Sequence, residues 1–494
     1  MDEGAVEAHE VTVVGAGFGG LTTAHALAEI GVDDVVVLER GDGVGGTWRA
    51  NSYPGAACDV PSHLYSLSFA PNPNWSRTYA TQPEILAYVE DCYDRLDVRR
   101  KVRCGTEVVA AAWDDGQSRW EVTDRAGGRW RSRVLVSAVG LFHTPYVPDI
   151  KGLDTFGGTV FHSANWDHDH DLATERVAVI GTGASAVQVV PAIAERTAHI
   201  DLYQRSPAWI VPRLDRAFSE EEKAAFADNP ELLARHREEI YQFFEQSPAF
   251  AVGDPSAAML GGLAFSYLER KVPDPALRAL LTPDYPFGCK RVLITSDFYP
   301  AVQRDDVDLV TTPIERVTER GVRTADGAER ACDTIVLCTG FRASEYLLGL
   351  DVTGRAGLSL RDHWGGVPRA YHGMAVPGFP NLFLLYGPNT NQGGNSILLM
   401  LEAQAGFVAA ATEAMRDRGL ASVEVSDPAM RRYLDELESA LATTVWRGCA
   451  TYFHSPQGEI VTQLPHTAGW YAKAVRTFNA SDFVLTATND AVAR

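Results

Sequence analysis

Two stretches of the chain show the same order of apolar and polar positions. In the first, the apolar run 10–14 leads into a glycine-rich turn, a helical pattern through Ile30 and a second apolar run, 34–38. In the second, the run 177–180 leads into a similar turn, a helical pattern and the run 200–203. Short apolar runs between turn residues predict buried strands, and a 3.6-residue period predicts a helix. Each stretch therefore predicts a strand–helix–strand unit.

The turn in each stretch carries small residues in the spacing G-x-G-x-x-G/A. They are Gly15, Gly17 and Gly20 in the first stretch and Gly181, Gly183 and Ala186 in the second. Glycine permits the tight turn and lets the backbone approach a pyrophosphate at the helix N-terminus. The second strand ends 24 residues after the first glycine in both stretches, at Glu39 and at Arg205. Because a carboxylate suits a ribose 2′-hydroxyl and a guanidinium suits a 2′-phosphate, we expect one site for FAD (or NAD) and one for NADP.

Three further strands follow each unit. Turn residues separate the runs 107–113, 119–123 and 129–136 in the first half, and 314–319, 322–324 and 329–337 in the second. The sequence thus predicts one architecture used twice, a dinucleotide-binding domain with a three-stranded meander packed on its sheet. The fold class is α/β, with two Rossmann-like domains for FAD and NADP, as in two-dinucleotide-binding flavoproteins. The predicted bounds are 1–150 and 336–494 for the FAD-binding domain and 151–335 for the NADP-binding domain, with a helical insertion at about 214–288.

The amino-acid composition limits the classes of partner that the protein is expected to bind. Lys and Arg number 44 against 64 Asp and Glu, so the net charge is −20, and no basic run is present. This balance excludes nucleic acid as a partner and opposes binding to an anionic membrane. The apolar stretch 396–415 is interrupted by three polar residues and predicts a buried helix rather than a membrane span. Acidic residues near the first strand replace the basic region of a signal peptide, so a cytoplasmic location is expected.

The seven cysteines are scattered and never spaced C-x-x-C, which predicts no disulfide framework and no zinc cluster. Two nucleotide sites imply that electrons pass from NADPH to a flavin. A redox disulfide is disfavoured as the next acceptor because only Cys58 lies near the first nucleotide motif, while Cys332 and Cys338 fall on the strand that leaves the second domain. The remaining acceptors are oxygen or a small molecule.

Two longer patterns carry a family resemblance. The pattern F-x-G-x-x-x-H-x-x-x-W-[P/D] is matched by Phe156, Gly158, His162, Trp166 and Asp167. The pattern [A/G]-G-x-W-x4-[F/Y]-P-[G/M]-x3-D is matched by Gly45, Gly46, Trp48, Tyr53, Pro54, Gly55 and Asp59. The chain resembles the type I Baeyer–Villiger monooxygenases, which are FAD- and NADPH-dependent class B flavoprotein monooxygenases. The resemblance continues through 204–207, 290–291 and 385–391, and it therefore covers essentially the whole chain.

The resemblance implies roles for several residues. Arg291 corresponds to the active-site arginine that stabilises a C4a-peroxyflavin anion and then the tetrahedral adduct with a ketone, and Asp59 to the carboxylate that holds it. A structural Arg–Asp ion pair is the alternative. Lys290 and Arg205 correspond to the groups that clamp the NADP 2′-phosphate, and Ser206 adds a hydroxyl contact.

Further cofactor contacts are implied in the same way. Trp48 and Tyr53 wall the flavin, with core packing as the alternative for either aromatic, and Gly46 and Gly55 admit close backbone approach. Thr47 and Asn389 are also expected to contact a cofactor. The linker fingerprint, in which His162 and Trp166 lie between the domains, governs the position of the NADP domain rather than proton transfer. The stretch 167–171 (DHDHD) is a polar loop for which no metal is expected.

Two departures from the family pattern bear on specificity. Val139 stands where the family tends to carry threonine, and Gln392, Gly393 and Gly394 replace the usual Leu-Gly-His after Asn391. The latter loop is expected to approach the flavin or the substrate, so the substrate preference of relatives does not transfer there.

The resemblance implies an NADPH-dependent monooxygenase that uses O2 to insert one oxygen atom beside a ketone carbonyl, giving an ester or lactone. The alternatives are a flavin monooxygenase acting chiefly on sulfur or nitrogen, and a flavoprotein that signals redox state without turnover. The expected substrate walls are the helical insertion, with aromatics such as Tyr241, Phe244, Phe265 and Tyr267, and the 393–394 loop. The sequence selects neither a particular ketone nor an oligomeric state.

Overall fold

The computed structural model describes residues 6–246 and 250–488. Its strands are β1 Glu7–Val14, β2 Val35–Leu38, β3 Val102–Arg103, β4 Val108–Asp114, β5 Arg119–Asp124, β6 Arg129–Ser137, β7 Thr159–His162, β8 Arg176–Ile180, β9 His199–Tyr203, β10 Ile210–Val211, β11 Leu293–Ile294, β12 Val307–Val310, β13 Ile314–Thr318, β14 Gly321–Thr324, β15 Glu329–Ala331, β16 Thr334–Leu337, β17 Asp351–Thr353, β18 Leu382–Leu384, β19 Leu420–Val425 and β20 Phe483–Ala487. Its α-helices are α1 Phe18–Glu29, α2 Thr47–Ala50, α3 Gln82–Arg95, α4 Ala186–Ile193, α5 Glu220–Asp228, α6 Pro230–Glu245, α7 Pro255–Lys271, α8 Pro275–Leu281, α9 Phe298–Ala301, α10 Leu360–Trp364, α11 Ile397–Asp417, α12 Asp427–Leu441 and α13 Ala468–Ala474.

The first sheet has eight strands in the order β17-β4-β5-β6-β1-β2-β3, with β18 also paired to β6. Its centre is parallel because β1 pairs with β2 on one side and β6 on the other. Strand β6 is nine residues long, and it pairs with β5 through 129–132 and with β18 through 135–137. The first meander is therefore hydrogen-bonded into the parallel sheet, not packed on it as the sequence suggested. We call this sheet and its helices the first unit.

The second sheet has the order β12-β9-β8-β16-β7, and all its neighbours are parallel. We call this sheet, its helices and the separate antiparallel sheet β13-β14-β15 the second unit. The predicted single strand 329–337 is wrong, because it divides between the two sheets. Residues 334–337 are all buried and pair with β8, whereas 329–331 are mostly exposed and pair with β14. Asp333 stands at the division, where its carboxylate accepts a hydrogen bond from the Arg176 amide at 2.8 Å.

The fingerprint around His162 is not a linker between the units, which corrects the sequence prediction. Strand β7 ends at His162 and forms the edge of the second sheet beside β16. Trp166 follows it and packs edge-on against Phe161, with ring centroids 4.9 Å apart. The fingerprint therefore completes the core of the second unit.

The insertion after β10 is helical, as predicted, and it packs on two cores. Helix α5 begins with a capping box between Ser219 and Glu222. Phe218 and Phe226, at its start, lie in or against the core of the first unit, whereas Tyr267 and Leu268 of α7 lie in the core of the second. The insertion thus bridges the two units.

Helix α11 is long and apolar enough to cross a membrane by length and composition, and it is the one such helix in the described chain. Eleven of its residues are buried, and it packs against α1, α13 and β19. Ser396 caps its N-terminus by accepting a hydrogen bond from the Leu398 amide. Burial of this kind identifies a core helix, as the sequence predicted.

One disulfide bond contradicts the expectation drawn from the cysteine spacing. Cys289 and Cys449 are bonded across 160 residues of sequence, with their Cα atoms 6.0 Å apart. Because the pairing is that distant, no local spacing in the sequence could have indicated it. Cys58, Cys92, Cys104, Cys332 and Cys338 are free thiols.

Candidate functional site

The two units face each other across one continuous cleft of about 1390 Å³. Both glycine-rich turns open into it, at the carboxyl ends of β1 and β8, where parallel sheets place their ligands. Residues of the last third of the chain, including Gln392 and Tyr452, close the remaining side. The cleft is therefore built from three parts of the chain that are distant in sequence.

The first glycine turn forms a cradle for a nucleotide. Gly15 has φ +107°, and a Cβ there would lie 2.6 Å from the Ala138 carbonyl oxygen, so only glycine fits. A Cβ on Gly20 would collide with the Gly15 carbonyl oxygen at the first turn of α1. Helix α1 has no side-chain cap, which leaves its first amides free to donate to a pyrophosphate. This cradle fits the FAD expected there.

Glu39 closes the same cradle at the end of β2. Its two carboxylate oxygens accept hydrogen bonds from the amides of Ala16 and Gly41, each at 2.7 Å. A carboxylate offers about four acceptor positions, so capacity remains for ribose hydroxyl groups. The backbone bonds also hold the side chain at the cleft wall, as a ribose-binding residue requires.

The second glycine turn carries cations in place of the carboxylate. Gly181 has φ +112°, and its amide donates to the Tyr203 carbonyl at 3.0 Å. Lys290 donates to the Ser206 hydroxyl at 3.0 Å, and burial followed by the charge of Arg205 lowers the pKa of the lysine. Within the described residues, neither Lys290 nor Arg205 forms a salt bridge. Two unpaired cations beside a hydroxyl fit a bound 2′-phosphate.

Arg291 and Asp59 form an ion pair inside the cleft. The arginine Nη2 donates to the Asp59 Oδ2 at 2.5 Å, across 232 residues of sequence, and both side chains are about 70% buried. The nearby carboxylate is the main reason that the pKa of Arg291 is raised, so the guanidinium stays charged at any working pH. Its Nη1 also reaches the Gln392 carbonyl at 3.5 Å.

The segment before Asp59 contacts the second unit rather than only the cleft. Tyr53 donates to the Gln188 side chain of α4 at 3.0 Å, and Gln188 donates in turn to the Ala57 carbonyl at 3.0 Å. A Cβ on Gly55 would lie 2.6 Å from the Gln188 carbonyl, so Gly55 admits helix α4 and not a flavin. Burial raises the pKa of Tyr53 to about 12, which keeps its phenol a donor. Sequence reasoning missed Gln188, because only its position facing Tyr53 reveals its role.

Some of the other residues predicted to contact a cofactor line the cleft, and others do not. Thr47 and Trp48 line the cleft, and the Trp48 indole donates to the Tyr65 hydroxyl at 2.9 Å. Gly46 lines it as well, and a Cβ there would lie 2.8 Å from the Gly17 Cα, which is the close approach that this glycine permits.

Asn389 does not line the cleft, contrary to prediction. Its side-chain amide donates to the carbonyls of Ile460 and Gln463, so Asn389 anchors the 385–395 loop to the segment that follows Tyr452. Ala186 and Gly20 likewise lie behind the cleft wall, and both act through helix packing.

The five fingerprint residues also lie outside the cleft lining. His162 accepts a hydrogen bond from the Ala164 amide at 3.0 Å, and burial lowers its pKa. In the DHDHD stretch, His168 contacts Ser52 while His170 contacts Glu175 and Thr334, so the two imidazoles point to different partners.

Two tyrosines in the cleft were not predicted. Tyr386 donates to the Asn391 side chain at 2.6 Å, and burial raises its pKa above the usual value. Tyr452 lines the same part of the cleft as Arg291 and Asp59, and burial raises its pKa as well. Tyr386 lies within the 385–391 stretch of the family resemblance, but no role was predicted for it, and no sequence pattern included Tyr452. The proximity of both residues to Arg291 depends on the tertiary fold.

Comparison with known proteins agrees with this geometry. A family model described as "Pyridine nucleotide-disulphide oxidoreductase" matches residues 12–221. A Baeyer-Villiger monooxygenase of Pseudomonas aeruginosa is 42% identical over 483 residues, which cover 97% of this chain and 92% of that protein. The crystal structure of cyclohexanone monooxygenase from Rhodococcus sp. Phi1 bound to NADP+ aligns with a TM-score of 0.89 at 29% identity, over 98% of this chain and 100% of that one. A structure of OTEMO in complex with FAD and NADP aligns with a TM-score of 0.88 at 30% identity over the same shares.

The likenesses to the Pseudomonas aeruginosa protein and to the two solved structures extend over nearly the whole chain, so they apply to both units and to the cleft between them. They confirm the resemblance drawn from the two sequence patterns, together with FAD and NADPH as the cofactors. The chain belongs to the Baeyer–Villiger monooxygenase family, and it is an NADPH-dependent FAD monooxygenase.

Proposed function

We propose that Arg291, held by Asp59, is the catalytic residue for oxygen insertion beside the carbonyl of an apolar ketone. The observation that carries this assignment is the charged guanidinium fixed by a 2.5 Å ion pair in the cleft between the two glycine turns. When bound, NADPH reduces the flavin and the reduced flavin activates O2.

The guanidinium stabilises negative charge where the chemistry creates it. Attack on a ketone carbonyl leaves negative charge on the carbonyl oxygen, and a fixed cation aimed at that oxygen lowers the barrier. Asp59 keeps the planar donor group in one orientation without consuming all its N–H groups, because Arg has five. The raised pKa of Arg291 means that it acts as a fixed charge and a hydrogen-bond donor, not as a proton donor.

Nucleotide assignment follows the charges at the two strand ends. We infer that the unit with Glu39, built from residues 1–150 and 336–494, binds FAD, and that 151–335, with Arg205 and Lys290, binds NADPH. The uncapped α1 and the paired Glu39 carboxylate support the first assignment, and the unpaired cations support the second.

The substrate class follows from the apolar part of the cleft lining. Aliphatic side chains and two phenols are among the residues that line the cleft: Leu385, Tyr386, Ile397, Leu398, Leu401 and Tyr452. These walls favour an apolar ketone, with its oxygen as the one polar group to be recognised. The structurally similar protein named for cyclohexanone supports a cyclic ketone as the first substrate to test.

Replacement of Arg291 with Ala tests the assignment. Product formation from cyclohexanone should fall by about 100- to 1000-fold, the usual cost of losing one preorganised donor to a developing oxyanion. NADPH oxidation should persist, because hydride transfer to the flavin does not need a cation beside the carbonyl oxygen of the ketone. Arg323→Ala is the matched control, since its guanidinium pairs with Glu329 on the peripheral sheet. Full product yield from the Arg291 variant would refute the role.

A further inference from the structure

The Cys289–Cys449 disulfide lies next in sequence to two neighbouring walls of the cleft, 290–291 and 450–452. Cys289 is fully buried and immediately precedes Lys290 and Arg291. Cys449 is partly exposed and immediately precedes the segment 450–452, which lines the cleft and includes Tyr452. One covalent bond therefore joins the wall that carries the Arg291 guanidinium to the wall that carries Tyr452.

The two walls are otherwise attached to different parts of the fold. Arg291 precedes β11, which pairs only with β10 of the second unit in a two-stranded sheet. The segment after Tyr452 returns to the first unit, where the backbone amide of Asn389 donates to the Val461 carbonyl at 2.8 Å. Without the disulfide, the relative position of the walls would depend on noncovalent packing alone.

Noncovalent contacts on the Tyr452 side include contacts with the helical insertion. The Val445 amide donates to the Phe250 carbonyl at 2.8 Å, and the Phe250 ring stacks on Trp446 with centroids 5.1 Å apart. These contacts hold the segment before Cys449 but reach neither Arg291 nor Tyr452. The disulfide adds a covalent connection between the segment before Arg291 and the segment before Tyr452, beside the noncovalent contacts of Arg291 with Asp59 and Gln392.

We propose that the Cys289–Cys449 disulfide is a reversible modification that positions Arg291 against the Tyr452 wall and thereby sets how efficiently NADPH oxidation is coupled to ketone oxygenation. The inference rests on the proposed role of Arg291. A cross-link between residues 160 positions apart removes many relative arrangements of the two walls. In the dithiol form the guanidinium meets the carbonyl less often, so electrons from NADPH are lost to hydrogen peroxide.

The modification has a balanced chemistry. Oxidation removes one hydrogen from each thiol and passes two electrons to hydrogen peroxide, which leaves as two waters. For reduction, the thiolate of an external dithiol attacks the sulfur of Cys449, which is the partly exposed partner, and Cys289 leaves as a thiolate. The second thiol of the reductant then closes its own disulfide and releases Cys449. A wasteful cycle that produces peroxide therefore supplies the oxidant that forms the bond.

The first test is chemical and does not depend on turnover. The full-length holoenzyme is treated with hydrogen peroxide or with dithiothreitol, alkylated, and mapped by mass spectrometry without further reduction. We expect one linked peptide pair containing Cys289 and Cys449 after peroxide, and two alkylated thiols after dithiothreitol. Alkylation of both cysteines after peroxide would overturn the proposal.

The second test measures position and coupling. Amide hydrogen exchange in 443–452 and 290–294 should accelerate on reduction, while the β13-β14-β15 sheet stays unchanged. The ratio of lactone formed to NADPH oxidised should fall severalfold on reduction of the wild type. Cys449→Ser should show the low ratio in both states, and Cys104→Ser, which removes an exposed free thiol, should behave as the wild type. Cys289→Ala provides a second variant if Cys449→Ser does not fold.

The outcomes separate this inference from the proposed function. An equal coupling ratio in the oxidised and reduced wild type, with Arg291→Ala still inactive in oxygenation, would refute the disulfide's role alone. Full oxygenation by Arg291→Ala would refute the proposed function, whatever the disulfide does.

Discussion

Replacing Asp59 with Asn should weaken oxygenation through Arg291 and through no other group. Asn keeps the shape of the side chain and one acceptor oxygen, but it removes the charge that pairs with Arg291 at 2.5 Å. A hydrogen bond to a charged group contributes about 1.5–3 kcal/mol. Both side chains keep about 30% of their surface in contact with solvent, so the lower half of that range applies, and it corresponds to a loss of roughly 10- to 45-fold in rate.

The double-mutant cycle with Arg291→Ala gives the sharper result. If Asp59 acts only by orienting the guanidinium, then Asp59→Asn should cause no further loss once Arg291 is absent. The two single losses would then be strongly non-additive, with a coupling energy equal to the whole effect of the Asp59 variant. The assay is the initial rate of lactone formation at saturating NADPH, with FAD content measured for each variant.

Two results would refute the reasoning. Additive losses would mean that Asp59 contacts the substrate or a cofactor independently of Arg291. An Asp59→Asn variant with the wild-type rate would mean that the guanidinium is held by other contacts, such as the Gln392 carbonyl.

Three further predictions concern the cofactor, the packing of the units and pH. Lys290→Ala should raise KM for NADPH by about 10-fold or more while KM for NADH stays constant, because only NADPH carries the 2′-phosphate that the cation binds; an equal rise for both would contradict the assignment. Gly55→Ala should lower the free energy of unfolding by about 1–3 kcal/mol, because its Cβ would meet the Gln188 carbonyl at 2.6 Å, whereas Gly127→Ala carries a positive φ without a collision and should cost less. Burial lowers the pKa of His63 to about 4 in the folded state, so below pH 6.5 the unfolded state binds a proton more readily than the folded state. The stability that the neutral His63 side chain contributes is therefore present above pH 6.5 and is lost as the pH falls toward 4. Denaturant unfolding should show a lower free energy of unfolding at pH 4.5 than at pH 7, and the difference should be smaller in His63→Phe. An equal difference in this variant and the wild type would contradict the role of His63.

Local features of the sequence were sufficient for the two nucleotide-binding units. The glycine spacing, the buried strands beside it and the charge at each strand end are requirements that one short segment satisfies by itself, so they are visible in sequence. Gly15 and Gly181 do have the positive φ that these turns need. The Arg291–Asp59 pair was identified through family resemblance, since nothing in the spacing of two residues 232 positions apart indicates contact.

Burial decided where the strands divide. Hydrophobic periodicity continued across 329–337, but only the last four residues face a core on both sides, so the run splits at Asp333. The family resemblance placed the fingerprint of residues 156–167 between the domains, yet strand β7 within it pairs with β16 and forms a sheet edge.

The sequence by itself determined the fold class, the two cofactors and the charges that distinguish their sites, because each depends on residues close together in the chain. Only the tertiary structure decided that Gly55 faces Gln188, that Asn389 anchors a loop, and that Cys289 meets Cys449. These contacts join segments that are distant in sequence and become neighbours only in the folded chain, and packing depends on the shape of the whole chain rather than on any local pattern.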